Sequence, residues 1–315
     1  MTSDLRTALD EYLKLRRSLG FRLGRDEKLL VQFLDYLDEQ NRTAFTVDDA
    51  LAWAKLPEPA SAGWLGMRLS VVRSFAAYLH TLDPAVPVVP SGLLPGRGRR
   101  AVPYLYSDED LAALVRQAES LKTPLRTATM RTLVGLLAVT GIRLGEALSV
   151  DDEDFDADAG VLLVRHGKFG KQRLLPLHPS TVIALNDYRA VRDVWFPTPV
   201  SPALLVSQAG TRLLIFNVGL TFARLARQAG LVPRSPSCRP RPHDLRHTFA
   251  VRTLLGWYRD GEDIGARLPL LSTYLGHVSP KNTYWYLDAA PELMAEAAHR
   301  LQSADGRQSP AGRWS

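Results

Sequence analysis

A proline-dense segment divides this chain and limits what it can fold into. Residues 83–103 contain five prolines and a basic cluster formed by Arg97, Arg99 and Arg100. Proline has no backbone N–H and fixes φ, so this stretch cannot continue a helix or pair inside a sheet, and it stays extended. We therefore predict two domains joined by a linker over residues 83–104.

Apolar residues at helical spacing occur on both sides of this linker. Residues 1–82 predict four helices, the third opened by a Thr46–Asp49 capping pattern. Residues 105–302 predict six more, one capped by Ser107 and the others near 125–139, 179–193, 214–229, 243–256 and 290–302. The strand-like runs 161–164 and 173–177 predict a hairpin, and residues 303–315 predict a frayed tail. The predicted fold class is mainly α with a small β-hairpin or sheet (α+β).

The composition favours some classes of function and excludes others. A net charge of +6 and a pI near 9.5 suit a polyanionic partner. The single cysteine, Cys238, excludes an internal disulfide and a cysteine-built zinc site. No stretch approaches the roughly 20 apolar residues of a membrane span, and the first residues lack a signal peptide's apolar core, so we expect a cytoplasmic protein with no membrane partner. The acidic run from Asp151 to Asp158 is predicted to be a solvated loop.

The motif around residue 243 predicts an anion site. His243, Arg246 and His247 share one face of a predicted helix because positions three and four apart are neighbours. His243 and His247, with His277, also have metal-ligand spacing, which leaves a zinc hydrolase as an alternative. Such a site needs a glutamate base after the first histidine, whereas this chain has the shorter Asp244, and Arg246 would place a positive charge beside the metal. We predict no metal.

Other motifs contain further candidates. In Thr-Gly-Ile-Arg143-Leu-Gly-Glu146, the carboxylate can hold the guanidinium as a phosphate clamp, although a surface ion pair is the alternative reading. Lys168 lies in the glycine-containing turn between the two strand-like runs. Leu-Gly-His277 is followed nine residues later by Tyr286, in an aromatic cluster of a kind that more often belongs to a core than to a catalytic site.

The joint order of these motifs resembles the signature of tyrosine recombinases, the phage integrase family. The resemblance implies that Tyr286 attacks a DNA phosphate and forms a covalent 3′-phosphotyrosine, without metal or other cofactor. It implies an active site with three further kinds of group: the clamp residues Arg143 and Arg246, the histidines His243 and His277, and the proton donor Lys168. Glu146 and His247 would support them.

The resemblance also implies the architecture and the partners. Residues 1–82 would be a helical core-binding domain and residues 105–302 the catalytic domain, together forming a C-shaped clamp on double-stranded DNA at a specific site. The enzyme would act as a homotetramer on DNA, alone or with related recombinases. The residues expected to contact DNA are Arg97, Arg99, Arg100, Lys171 and Arg173.

Some positions depart from the family pattern. Phe169 stands where a glycine is usual, which leaves Lys171 as an alternative to Lys168. Residues 257–269 look longer than in typical members and are expected to form an extra loop. Residues 282–286 resemble transposon-borne members. Two other functions stay open at this point: a type IB topoisomerase, and a DNA-binding accessory protein without activity.

Overall fold

The chain forms two compact units. The computed structural model describes residues 2–56, 58–94, 102–165, 172–277 and 283–284. The units comprise Met1–Arg100 and Ala101–Ser315. Each has its own apolar core, and each is described separately below.

The first unit contains the four helices that the sequence predicts: α1 (Thr2–Ser18), α2 (Gly24–Glu39), α3 (Val47–Lys55) and α4 (Ala62–Leu82). The Thr46 hydroxyl accepts the Asp49 N–H at 3.1 Å, and the Asp49 carboxylate accepts the Thr46 N–H at 2.9 Å. This is the predicted capping box, and it satisfies two donors that a helix start leaves unpaired. The core between the helices includes the buried Phe33, Trp53 and Phe75.

The ends of the predicted linker pack on the units that they adjoin. Val89 is buried in the core of the first unit, and the imidazole of His80 hydrogen-bonds the carbonyl of Val86 at 2.8 Å. Tyr104 and Tyr106 are buried in the core of the second unit. Residues 95–101, which include Arg97, Arg99 and Arg100, lie outside the described residues.

The second unit is mainly helical. Its described helices are α5 (Asp108–Gln117), α6 (Pro124–Thr140), α7 (Leu144–Ser149), α8 (Pro179–Trp195), α9 (Ile215–Gln228), α10 (Pro242–Arg259) and α11 (Ile264–Leu275). Helix α6 is central, because α5, α7, α8 and α10 all pack against it. Ser107 caps α5 as predicted. The helix predicted near 290–302 and the tail at 303–315 lie outside the described residues.

A small antiparallel sheet accompanies these helices. Its strands are β1 (Phe155–Asp156), β2 (Val161–Val164) and β3 (Arg173–Pro176), in the order β1-β2-β3. Leu162 pairs with Leu175 and Val164 with Arg173, which confirms that the two predicted runs pair. The predicted fold class is therefore confirmed. The turn that connects β2 and β3, residues 166–171, lies outside the described residues.

The acidic run is only in part the solvated loop that the sequence suggested: Glu153, Asp156 and Asp158 are exposed, whereas other carboxylates of the run pair with arginines. Asp154 is buried and forms an ion pair with Arg165, and Asp152 accepts hydrogen bonds from Arg189 at 2.9 Å and Arg192 at 2.6 Å. A short helical turn and strand β1 form this run. Arginines from elsewhere in the chain compensate the charges of Asp152 and Asp154. Neutralised carboxylates can be buried where isolated ones cannot.

The extra loop expected at 257–269 is also wrong. Helix α10 continues to Arg259 and α11 begins at Ile264, so residues 260–263 alone connect them. Pro269 lies inside α11 and obscured its helical pattern. Burial of Ile264, Leu268 and Leu271 together with residues of α10 compensates for the backbone hydrogen bond that proline removes. No described helix combines the length and apolarity that crossing a bilayer requires.

Candidate active site

Three arginines meet at the C-terminal end of α11. Each donates a hydrogen bond to a different one of three successive carbonyls: Arg173 to Tyr274 at 2.9 Å, Arg246 to Leu275 at 2.7 Å and Arg143 to Gly276 at 2.8 Å. We call these carbonyls the α11 carbonyl cluster. The last carbonyls of a helix have no partner within it and lie at the negative end of its dipole, so cations are favourable there. One helix end thus gathers side chains from β3, α10 and the start of α7.

Glu146 joins two of these arginines. Its carboxylate accepts hydrogen bonds from Arg143 Nη1 at 2.6 Å and from Arg173 Nη2 at 2.7 Å. It also accepts the backbone N–H of Arg143 at 3.2 Å, which closes the N-terminus of α7. The side chain of Glu146 is only 5% exposed, whereas that of Arg143 is 27% exposed. The buried carboxylate therefore holds Arg143 in place, while part of the arginine side chain remains exposed to solvent.

The charge state of Glu146 follows from these contacts. Burial acts to raise the pKa of Glu146, but hydrogen bonds and charge from Arg173 and then Arg143 outweigh it, so that the pKa lies below the ordinary value of 4.5. The carboxylate is thus ionised at neutral pH. Its negative charge is shared by two guanidiniums, which leaves a net positive cluster suited to a phosphate.

Arg246 is more deeply placed than Arg143. It is 2% exposed, and besides Leu275 it donates from Nη1 to the carbonyl of Gly141 at 2.7 Å. Arg246 therefore bridges the ends of α6 and α11. Because Leu275 and Gly276 are consecutive, the two predicted clamp arginines are fixed on adjacent carbonyls.

The structure explains why two positions of the sequence motifs are glycines. Gly141 and Gly276 end α6 and α11 with φ of +60° and +66°, a left-handed conformation that favours glycine. A Cβ at Gly141 would lie 2.5 Å from the ring of Phe249, and one at Gly276 would lie 2.8 Å from the Arg173 guanidinium. Both turns present their carbonyls to arginines, so each glycine supports the position of a guanidinium.

Helix α10 carries the predicted histidines. His243 is exposed, whereas His247 is buried, and their rings meet edge to face with centroids 4.8 Å apart. On the other side of this turn the buried Asp244 accepts two hydrogen bonds from Arg241, at 2.8 and 3.0 Å. Burial raises the pKa of Asp244, against the effect of Arg241. The pair fixes the first turn of α10 and so the orientation of His243.

His277 follows the α11 carbonyl cluster directly. Its Nδ1 lies 2.8 Å from the hydroxyl of Thr283, a residue that is 1% exposed. A bond at one ring nitrogen sets which way the other nitrogen points. The sequence reasoning missed Thr283; its only signal is a hydroxyl three residues before Tyr286 in an aromatic run.

The structure brings several of the predicted residues together. Arg143, Glu146, Arg246 and His277 meet at the end of α11, with His243 and His247 on the helix of Arg246. Arg173, which was expected to contact DNA, instead bonds Glu146 and Tyr274, and its side chain is 12% exposed. The remaining predicted residues lie outside the described residues: Arg97, Arg99, Arg100, Lys168, Lys171 and Tyr286.

The zinc alternative finds no support in the described part of the chain. There, no group of three or more His, Cys, Asp and Glu side chains is arranged to hold a metal ion. His243, His247 and His277 thus do not form such a group. The arrangement consists instead of fixed guanidiniums and imidazoles, which are donors suited to an oxyanion.

Comparison with known proteins identifies the family. The model of the phage integrase family matches residues 105–292. "Putative integrase/recombinase y4rB" of Sinorhizobium fredii is 45% identical over 95% of this chain and 98% of its own length. The tyrosine recombinase XerD of Mycobacterium leprae is 33% identical, over 69% of this chain and 65% of its own length.

A solved structure shows the same fold. The Tn1549 transposon integrase, in complex with transposon right end DNA, superposes with a TM-score of 0.65 at 17% identity, covering 94% of this chain and 98% of that one. The family match and these relatives define a DNA breaking-rejoining class of enzyme. The chain belongs to the phage integrase family and is a tyrosine-type site-specific recombinase.

Proposed function

We propose that this recombinase cleaves and rejoins DNA through a covalent 3′-phosphotyrosine formed on Tyr286. The observation that carries the proposal is the fixing of Arg143 and Arg246 on adjacent carbonyls at the end of α11, next to His277. Guanidiniums from two distant motifs are thereby preorganised at one place. A phosphodiester needs such an arrangement, because its negative charge repels a nucleophile.

The two arginines and His277 act on the phosphate. Arg143 and Arg246 donate hydrogen bonds to its non-bridging oxygens and neutralise the charge that grows there in the transition state. Glu146 keeps Arg143 in place without reaching the phosphate, because its oxygens are occupied by Arg143 and Arg173. His277, oriented through Thr283, adds a further donor.

Tyr286 is the nucleophile. A phenol has a pKa of about 10 and is mostly protonated at neutral pH, so a base and a cationic pocket are needed to help it ionise. In the proposed step the phenolic proton passes to His243 while the phenolic oxygen bonds to phosphorus. The bond from phosphorus to the 5′ oxygen breaks, and the DNA is left linked through its 3′ phosphate.

Lys168 supplies the proton that the leaving 5′ oxygen needs, with Lys171 as the alternative donor. Rejoining is the reverse: a 5′ hydroxyl attacks the phosphotyrosine and Tyr286 leaves. Because the phosphoester bond energy is kept in the adduct, neither ATP nor a metal ion enters the balance. No cofactor is required by this sequence of steps.

The substrate is double-stranded DNA at a specific site, bound by a homotetramer in the cytoplasm, alone or with related recombinases. The net charge of +6 favours phosphate contact. The likeness to a transposon integrase bound to transposon end DNA favours transposition among the outcomes of integration, excision and transposition. Residues 1–82 would bind the DNA beside the catalytic domain.

Covalent trapping tests this proposal. The probe is an end-labelled pool of duplexes with a randomised core, each nicked so that cleavage releases a short fragment and prevents rejoining. Wild-type protein should give a labelled adduct that survives denaturation and disappears with protease. The sequences recovered from the adduct define the duplex for all later assays.

Two matched variants identify the nucleophile. Tyr286→Phe should form no adduct while it still binds the recovered duplex. Tyr284→Phe is the control, because Tyr284 is 53% exposed and lies two residues away, and it should react like the wild type. A wild type that binds DNA but never forms an adduct would support an accessory DNA-binding role and contradict the proposal, as would an adduct with Tyr286→Phe.

A further inference from the structure

Arg173 connects three elements of the second unit, and the proposed catalytic steps assign no part to this connection. It is the first residue of β3, and its guanidinium contacts two other elements, Glu146 on α7 and the carbonyl of Tyr274 on α11. Residues 27 and 101 positions away in the chain are thus joined by one side chain. Only 12% of the side chain is exposed.

We infer that Arg173 is a positioning residue, one that ties the strand following Lys168 to the carboxylate that orients Arg143 and to the helix end that precedes His277. The inference rests on the proposed function, whose groups it connects. It replaces the expectation that Arg173 contacts DNA. Arg173 itself does not touch the phosphate in this arrangement.

The geometry explains why arginine is needed at this position. Its Nη2 and Nη1 reach both oxygens of Glu146, at 2.7 and 3.3 Å, while Nε donates to Tyr274 at 2.9 Å. The planar fork can make these contacts at once, whereas a lysine ammonium is a single point charge on a flexible stem. A lysine would keep the charge and lose the shared geometry.

Gly276 shows how closely the guanidinium fits. A Cβ at this glycine would stand 2.8 Å from Nη1 and 3.1 Å from Cζ of Arg173. The guanidinium therefore packs against the turn whose carbonyl holds Arg143. A displaced Arg173 would disturb both the carboxylate beneath Arg143 and the turn that leads into His277.

The position of Arg173 in the sheet connects it with the part of the chain that contains Lys168. Arg173 pairs with Val164 at the end of the β2–β3 ladder where the chain passes from β2 to β3, and the residues between the two strands include Lys168. The strand end nearest the proposed proton donor is thus anchored to the clamp. In the proposed reaction the arginines act on the phosphate and the proton donor acts on the leaving 5′ oxygen of the same phosphodiester, so anchoring the start of β3 to the arginine cluster favours the reaction.

The test compares Arg173→Lys and Arg173→Gln with Arg189→Lys in the full-length protein, on the duplex recovered by trapping. Arg189 is a matched control in the same unit, since it also bonds a carboxylate, Asp152, and the carbonyl of Phe155, away from the clamp. Single-turnover cleavage, DNA affinity and thermal unfolding are measured for each variant. Supporting residues of this kind typically change activity about 10- to 100-fold.

We expect both Arg173 variants to cleave at least about 10-fold more slowly at saturating protein, with DNA affinity close to that of the wild type. Arg189→Lys should keep the wild-type rate. A loss of affinity with an unchanged maximal rate, and a shallower salt dependence of binding, would show that Arg173 contacts DNA and would overturn the inference. So would wild-type cleavage by Arg173→Lys and Arg173→Gln.

The pH dependence of the cleavage rate distinguishes a positioning role of Arg173 from a general loss of structure. Glu146 faces Arg143 and Arg173, with Tyr274 of α11 beside Arg173. In Arg173→Gln the largest influence that lowers the pKa of Glu146 is gone, while burial still raises it. Glu146 then protonates at higher pH and releases Arg143, so the acid limb of cleavage should move to higher pH than in the wild type.

A uniform loss of rate with an unmoved acid limb would contradict the inference. If Arg173→Gln does not fold, Arg173→Lys decides through its maximal rate and affinity. Absence of an adduct with the wild type would instead defeat the proposed function, so the two failures are distinguishable.

Discussion

The guanidinium of Arg143 donates to the carbonyl of Gly276, 133 residues further along the chain, at 2.8 Å. This bond joins two sequence motifs that lie far apart in the chain. One motif supplies Arg143, the proposed clamp residue, and the other supplies the helix end that holds Arg143 and the histidine that follows. The motif glycines, arginines and histidine thus form one structural unit around the α11 carbonyl cluster.

Glu146→Gln should destabilise the protein at neutral pH by about 3 kcal/mol, because it leaves two arginines of the cluster without their anion. The pKa of Glu146 is lowered by folding, so its stabilising effect is present above the ordinary value of 4.5 and is lost as pH falls through the folded-state value. The difference between wild type and variant should therefore shrink in acid. Urea unfolding across this pH range measures it.

The control for this variant is Glu153→Gln, whose carboxylate pairs with Arg165 but is 72% exposed. Exposed pairs contribute about 0.2–1 kcal/mol, so the control should change stability little. A Glu146→Gln difference that is constant with pH would show that Glu146 is not ionised in the folded protein.

Gly276→Ala should slow cleavage on the order of 100-fold, since its Cβ would push Arg173 away and shift the turn that holds Arg143. Gly230→Ala provides the comparison: Gly230 has a φ of +76° but nothing within 4 Å of an added Cβ. Each should lose about 1 kcal/mol from the left-handed backbone alone. Only Gly276→Ala should also lose activity.

Unfolding free energies and single-turnover rates of the two alanine variants decide this point. Equal rates for both, or a slow Gly230→Ala with an unaffected Gly276→Ala, would mean that the fit between Gly276 and Arg173 does not control the clamp.

Much of the fold follows from local sequence. The Thr46–Asp49 capping box, the helices of the first unit and the Arg143–Glu146 pair depend on residues a few positions apart, where spacing carries the information. The paired strands follow from short apolar runs. The motif order was sufficient to indicate the family.

The wrong predictions concern segments whose structure depends on residues far away in the sequence. Pro269 weakens the local pattern of α11, whose helix is stabilised by packing on α10. The burial of Asp154 and the pairing of Asp152 with Arg189 and Arg192 could not be recognised from the sequence, because the arginine partners lie elsewhere in the chain. The contacts of Arg173 with Glu146 and Tyr274 could not be predicted from the sequence either, because these partners lie 27 and 101 positions away.

The most direct test of the account asks whether Arg143 neutralises phosphate charge. Arg143→Ala should cleave the recovered duplex about 100-fold more slowly than wild type. A methylphosphonate at the scissile position is uncharged, so on this substrate the cleavage rate of Arg143→Ala should come much closer to that of the wild type. Adduct formation followed on denaturing gels measures both rates. If methylphosphonate substitution slows Arg143→Ala as much as it slows wild type, Arg143 does not balance charge on the reacting phosphate, and the proposed role of Arg143 as a phosphate clamp is contradicted.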